Sequence, residues 1–276
     1  MVKRESENDR KDTDTGASGS VGTAIYERLS QMNKFDVYGT FFSLKSDALH
    51  MCYFSLENPE KIKDILARIA PDIVISALRG DFKKQMDVHI FTAEYLKKNH
   101  GRLIYFSTAN VFDSKQECPH YEGDSLQSDS EYGKFKISCE NKLREIMGNS
   151  AIILRIPFVY GRNSVRMRQI EDGCQKGAMD VYDNLFSNYV TDIQIADYVE
   201  WIISEEKEGT FHIGTTDVMR YSDFIMRLIK DSGKAFPTFN YLDVTGTMAV
   251  LTERKDIPYR LLWNVDRVIS FLCSND

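Results

Sequence analysis

The sequence predicts an α/β fold: a parallel sheet covered on both faces, with a smaller lobe drawn from the C-terminal half. Three observations predict it. Strand-like apolar runs alternate with helical patterns through the first 156 residues. Those runs are continuous rather than alternating, with Ile73, Val74 and Ile75 consecutive and β-branched, as burial on both faces requires. A turn carrying Gly16, Gly19 and Gly22 leads straight into a helical pattern over residues 21–29.

The elements follow in order. Residues 35–42 read as a strand. Residues 59–70 have helical spacing, with Ile62, Ile65, Leu66 and Ile69 on one face. A short buried strand covers 72–77, a helix 86–99, a strand 103–107, a helix 132–147 and another continuous apolar strand 151–156. This alternation implies βαβ units with right-handed crossovers. Beyond Pro157 the pattern loosens. Residues 191–204 are helical, 209–214 a strand and 221–230 helical, while 236–256 show no clear period.

Composition narrows the function. The chain has 276 residues, 35 Lys+Arg against 41 Asp+Glu and a net charge of −6. The length fits one large or two interlocked domains. The acidic balance argues against affinity from neutralising a nucleic-acid backbone. The longest apolar run, 151–160, is broken by Arg155 and Pro157, so no membrane span is expected. The first 14 residues are charged and lack the apolar core of a secretory signal. Cys52, Cys118, Cys139, Cys174 and Cys273 are scattered, which fits reduced thiols in a cytoplasm. His50, His89, His100, His120 and His212 have no metal-ligand spacing, so no metal is expected.

The glycine turn has a physical use. Glycines let a backbone approach a pyrophosphate closely, and the helix that follows offers unpaired N–H groups. A plain tight turn would use the same residues. One feature conflicts: of residues 9–15, which should be a buried strand, five of seven are charged. Either that strand is missing, or it is poorly seated, or this N-terminus is not the natural one; the composition of 1–14 also fits a disordered tail.

Tyr132 and Lys136 stand four apart, on one face of a helix. A phenol holds its proton to about pH 10, and a nearby ammonium lowers that value. The pair suits proton exchange at a carbonyl or alcohol, although solvated helix faces produce the same spacing. Thr108 follows the 103–107 strand, at the end where open parallel sheets bind ligands. Its hydroxyl could hold a substrate oxygen or cap its own turn.

In this order and spacing the three elements resemble the extended short-chain dehydrogenase/reductase superfamily, above all its dTDP-4-dehydrorhamnose reductase-like branch. The matching stretches are 15–22, 71–77 (PDIVISA), 107–113 (STANVFD), 121–140, 154–161 (LRIPFVYG) and 209–214 (GTFHIG). The resemblance implies a Rossmann-type domain over 15–156, completed by about 190–214, and a sugar-nucleotide lobe from 157–189 and 215–276. It implies NADP(H) or NAD(H) as cofactor and a nucleotide sugar as substrate. Gly16, Ser18, Gly19, Ser20, Val21 and Gly22 would hold the pyrophosphate. Ala77 would lie along the cofactor, Lys136 on the nicotinamide ribose and Pro157 near the nicotinamide. Hydride would pass to a C4 ketone, with Tyr132 beside the cofactor protonating the oxygen and Thr108 orienting it. The resemblance is compatible with a homodimer.

The departures are specific. The charged segment replaces an apolar first strand, and Phe54-Ser55-Leu56 stands where the family often has an acid. No acid follows the strand at 40–45 to hold a ribose 2′-hydroxyl. Ser43 and Lys45 could accept a 2′-phosphate, which favours NADP(H). Arg162, Arg166 and Arg168 form a basic run suited to a diphosphate, or a solvated helix face. Arg254 is a further substrate candidate. Ala109 and Asn110 after Thr108 lack the acidic pair of the superfamily's dehydratases. An epimerase remains an alternative. So does a non-catalytic regulatory subunit, since LRIP at 154–157 and GTFH at 209–212 are similar to the β subunit of methionine adenosyltransferase.

Overall fold

The structure is a computed structural model describing residues 2–3, 11–15, 19–32, 34–42 and 50–274, with backbone alone over 2–3 and 11–15. In chain order it forms β1 (Val2–Lys3), β2 (Lys11–Thr15), α1 (Ser20–Ser30), β3 (Asp36–Phe41), β4 (Met51–Tyr53), α2 (Lys61–Ile69), β5 (Ile73–Ser76), α3 (Phe82–Lys98), β6 (Arg102–Thr108), α4 (Glu131–Met147) and β7 (Ala151–Ile156). There follow β8 (Phe158–Tyr160), α5 (Val165–Lys176), β9 (Ala178–Tyr182), β10 (Leu185–Ser187), β11 (Tyr189–Thr191), α6 (Asp192–Ser204), β12 (Thr210–His212), β13 (Met219–Arg220), α7 (Tyr221–Asp231), β14 (Thr238–Leu242), β15 (Gly246–Met248) and α8 (Val265–Cys273).

Two compact units result. One is Met1–Ser107, Lys134–Leu154 and Ile195–Thr210; the other is Thr108–Gly133, Arg155–Gln194 and Phe211–Asp276. Residues 108–133, which the sequence places with the 15–156 domain, pack with the second unit.

The main sheet runs β12-β7-β6-β5-β1-β2-β3-β4, with β5 also paired to β2. The pairs β2–β3, β3–β4, β2–β5 and β5–β6 are parallel. From β2 the chain winds outward through β3 and β4, then returns to the other side of β2 with β5. The order therefore reverses between β2 and β5, and the crevice at the carboxyl ends of those strands is where such sheets take ligands.

The charged lead-in is a strand. Its backbone is in register with β5 from Asp12↔Ile73 to Thr15↔Ser76. Main-chain groups make a ladder whatever the side chains, so a composition that reads as a tail still pairs. Helix α2 buries Ile62, Ile65, Leu66 and Ile69, the face its spacing predicts. They pack with Val74, Val88, Leu96, Leu103 and Ile153 into one core. Helix α3 starts four residues before the predicted 86–99 helix, because Asp81 caps it by accepting from the Lys84 amide at 2.9 Å. That turn carries no apolar period.

In the second unit, α7 and α8 close a core around Tyr160, Tyr189 and Phe224. Tyr189 and Phe224 stack at 3.7 Å and 5°. The unpatterned stretch 236–256 holds β14, parallel to β9, and β15, parallel to β10. Most of β14 is exposed, so no burial alternates along it and no period marks it. Among the described residues no helix is long and apolar enough to cross a membrane, and no group of His, Cys, Asp and Glu is arranged to hold a metal ion.

Candidate active site

In the first unit the strand order reverses beside the passage from β2 to α1, where sheets of this kind take ligands. Gly16, Ser18, Ser43 and Lys45 lie outside the described residues. Gly19 is the N-cap of α1, with φ −88°, no side-chain cap and no acid in the first turn. Ser20 is exposed, Val21 half-buried and Gly22 buried. Gly19 supplies no side-chain acceptor to the first N–H groups of α1, and that positive dipole end fits a pyrophosphate. Half-buried Ala77 directly follows β5 on the other side of the reversal. A dinucleotide fits this donor set.

Helix α4 carries the titratable pair. Tyr132 and Lys136 stand one turn apart on it, and their surroundings differ. Tyr132 is 42 % exposed and Lys136 6 %. The Lys136 ammonium donates to the Phe106 carbonyl at 2.8 Å and lies 4.7 Å from the Tyr105 ring centroid. Burial pulls its pKa down to about 8; Cys139 and Glu140 oppose that pull, and Arg79 adds to it. The group is thus an ammonium at neutral pH that can lose its proton within reach of physiological conditions.

Thr108 and Tyr132 belong to the second unit. Thr108 ends β6, accepts from the Asn110 amide at 3.2 Å and donates to Asn110 Oδ1 at 2.9 Å. It caps the short turn Ala109–Phe112. The start of α4 is fixed against that turn. A Cβ on Gly133 would collide with the Asn110 carbonyl oxygen and Ser128 Oγ, so only glycine permits this approach. Ser130 Oγ accepts from the Gly133 amide at 3.0 Å. The Asp113 carboxylate in turn accepts from Ser128, Ser130 and the Asp129 amide. Burial pushes Asp113 up, but those hydrogen bonds outweigh it and hold the pKa below the ordinary value.

The arginines do not converge. Arg162 donates to the Phe271 carbonyl and Ser274 and stacks on Phe271, tying the C-terminal helix. Arg166 lies over the rings of Phe158 and Tyr160. Exposed Arg168 reaches the Asn163 carbonyl at 2.6 Å. Arg254 forks onto Asp256 and stacks 3.9 Å from the Phe211 ring. Pro157 packs against Gly214.

Sequence reading missed the second unit's buried polar cluster. Arg155, noted there only as a break in an apolar run, is 2 % exposed. It donates to the Glu122 carbonyl and to His212 Nε2, both at 3.2 Å. His212 Nδ1 faces the carbonyls of Leu251 and His120, so Nδ1 carries the proton and Nε2 accepts. Burial holds His212 down to about 4, with Arg155 pressing the same way and Glu122 opposing. A lone charge inside an otherwise apolar strand was the available signal.

The sheet order and the glycine-capped first helix define a Rossmann-type α/β protein. The chain belongs to the RmlD substrate binding domain family, whose model matches residues 83–245. It is 26 % identical over 222 residues to the methionine adenosyltransferase 2 subunit beta of Bos taurus, covering 72 % of this chain and 65 % of that protein. The chain thus spans about two-thirds of that relative's length. It is 20 % identical over 238 residues to the dTDP-4-dehydrorhamnose reductase of Aggregatibacter actinomycetemcomitans, covering 79 % and 78 %. In fold it is similar to the Bacillus anthracis dTDP-4-dehydrorhamnose reductase solved with NADP, with TM-score 0.77, 16 % identity and coverage of 95 % and 96 %. The Thermus thermophilus UDP-glucose 4-epimerase solved with NAD gives 0.75, 16 %, and 96 % and 100 %.

Proposed function

We propose that the chain is an NAD(P)H-dependent reductase of a nucleotide-linked 4-keto sugar. One observation carries the reading: Tyr132 and the buried ammonium of Lys136 stand one turn apart on α4 in a chain of this family. When bound, the reduced nicotinamide supplies the hydride taken up at C4. Tyr132 gives its proton to the C4 oxygen, and the Lys136 charge favours the phenolate left behind. Thr108 turns its hydroxyl from Asn110 to hold the same oxygen. The uncapped start of α1 and Ala77 bind the dinucleotide, and Lys136 also holds the nicotinamide ribose. The lack of an acid over residues 40–45 and the presence of Ser43 and Lys45 favour NADPH over NADH. Arg168, which is exposed, is the arginine we assign to a diphosphate.

The experiment is a titration with NADPH and NADH, followed by nicotinamide oxidation with a panel of nucleotide-linked 4-keto sugars. NADPH binds more tightly and one sugar is reduced. Tyr132→Phe lowers turnover about 10²–10⁴-fold with cofactor affinity nearly unchanged. Full turnover in Tyr132→Phe would remove Tyr132 from its role.

The 26 % identity to a methionine adenosyltransferase subunit supports a second reading, a dinucleotide-binding regulatory subunit. Cofactor binding with no reduction of any sugar in the panel would favour it.

A further inference from the structure

Lys136 and Glu140 of α4 both hydrogen-bond to β6, and of the two Lys136 alone belongs to the pair that the proposed function uses. Phe106 and Ser107 are consecutive on β6, and Lys136 and Glu140 are one turn apart on α4. The Phe106 carbonyl accepts from Lys136 Nζ at 2.8 Å. The Ser107 hydroxyl donates to Glu140 Oε1 at 2.6 Å. The Glu140 side chain is completely buried, and the guanidinium of Arg144, one turn further, lies 3.4 Å from Oε2. Arg144 in turn donates to Thr210 Oγ1 at 2.8 Å. Cation, anion and cation thus follow one another at single-turn spacing, and the two inner groups are seated on adjacent residues of one strand.

A carboxylate taken out of water is costly unless it is hydrogen-bonded and paired with a cation. The carboxylate has a second use where it stands. Lys136 is a buried cation, and charge removed from water needs an opposite charge nearby to stay charged. We infer that Glu140 is a positioning residue for Lys136: its carboxylate, anchored by Ser107, sets the Lys136 ammonium in place and keeps it protonated. Among the described residues, the groups that act on Lys136 include Cys139 and Glu140 on α4, Arg79 after β5, His89 on α3 and the Tyr105 and Phe135 rings. Among them Glu140 is the carboxylate. Arg144 tempers its field from the far side.

For its effect on turnover the inference rests on the proposed reductase; for the state of Lys136 it does not. The test is the pH titration of the Lys136 ¹³Cε resonance in the full chain with labelled lysine, assigned by its loss in Lys136→Arg. Wild type should titrate near pH 8. Glu140→Gln should titrate at least about one pH unit lower, the effect of removing one close opposite charge. Glu140→Asp, which keeps the charge, should return most of the way to wild type even where its melting temperature falls. Arg144→Met, at a half-exposed site, should move the midpoint upward, so the inference stays testable if Glu140→Gln does not fold. A purely structural Glu140 would lower melting temperatures and leave every midpoint at the wild-type value, which would overturn the inference. If the midpoints move as stated and no keto sugar is reduced, the reductase reading falls and the inference stands.

Discussion

A phenol that must give up a proton at neutral pH needs help, since unaided it waits until about pH 10. In the function we propose that help is Lys136, whose burial the spacing alone does not reveal. The four-residue interval between Tyr132 and Lys136 is legible in the sequence. That Lys136 is buried on the Phe106 carbonyl while Tyr132 stays 42 % exposed is not, because both positions read as polar. Glu140 escaped for the same reason. Gly133 shows how finely the start of the helix is set. Gly133→Ala should cost about 1–3 kcal/mol, since its methyl must displace the Asn110 carbonyl or Ser128. Calorimetric melting checks this, and an unchanged melting temperature would mean that α4 is not held against that turn.

At the scale of elements, legibility followed burial. Helix α2 alternates four buried apolar residues with charged ones and was readable end to end. Strand β14 is mostly exposed and was not. Strand β2 is the instructive case: its backbone joins the sheet although its letters read as a tail. Strand β7 was found by its apolar run, but the run hid what Arg155 does. Replacing that side chain by one of similar length without donors strands two acceptors, the Glu122 carbonyl and His212 Nε2. Each buried acceptor left so costs about 1–3 kcal/mol. Arg155→Met should therefore lower the urea midpoint clearly with the transition slope preserved. An unchanged midpoint would show that the cluster contributes nothing to stability.

At the scale of the whole molecule, the reversal of strand order between β2 and β5 places the crevice, and two buried histidines tie stability to pH. Burial, helped by the Lys136 charge, lowers His89 to about 3, and burial lowers His212 to about 4. Both pKa values lie below the ordinary 6.5, so the unfolded chain binds these protons first. The neutral histidines' contribution is therefore complete above about pH 6.5 and is lost as pH falls toward 4 and 3. Melting temperature should decline steadily from pH 7 to pH 4.5, and His212→Gln should flatten part of the slope. A wild-type profile flat over that range would contradict the buried, neutral assignment. Isotope transfer tests whether hydride arrives at C4 with Tyr132 as the acid. With NADPH deuterated at the transferred position and a nucleotide-linked 4-keto sugar, wild type should place one deuteron on C4 of the product, while Tyr132→Phe should form almost none. A sugar returned without deuterium while the nicotinamide stays bound, or equal labelling by Tyr132→Phe, would contradict the account.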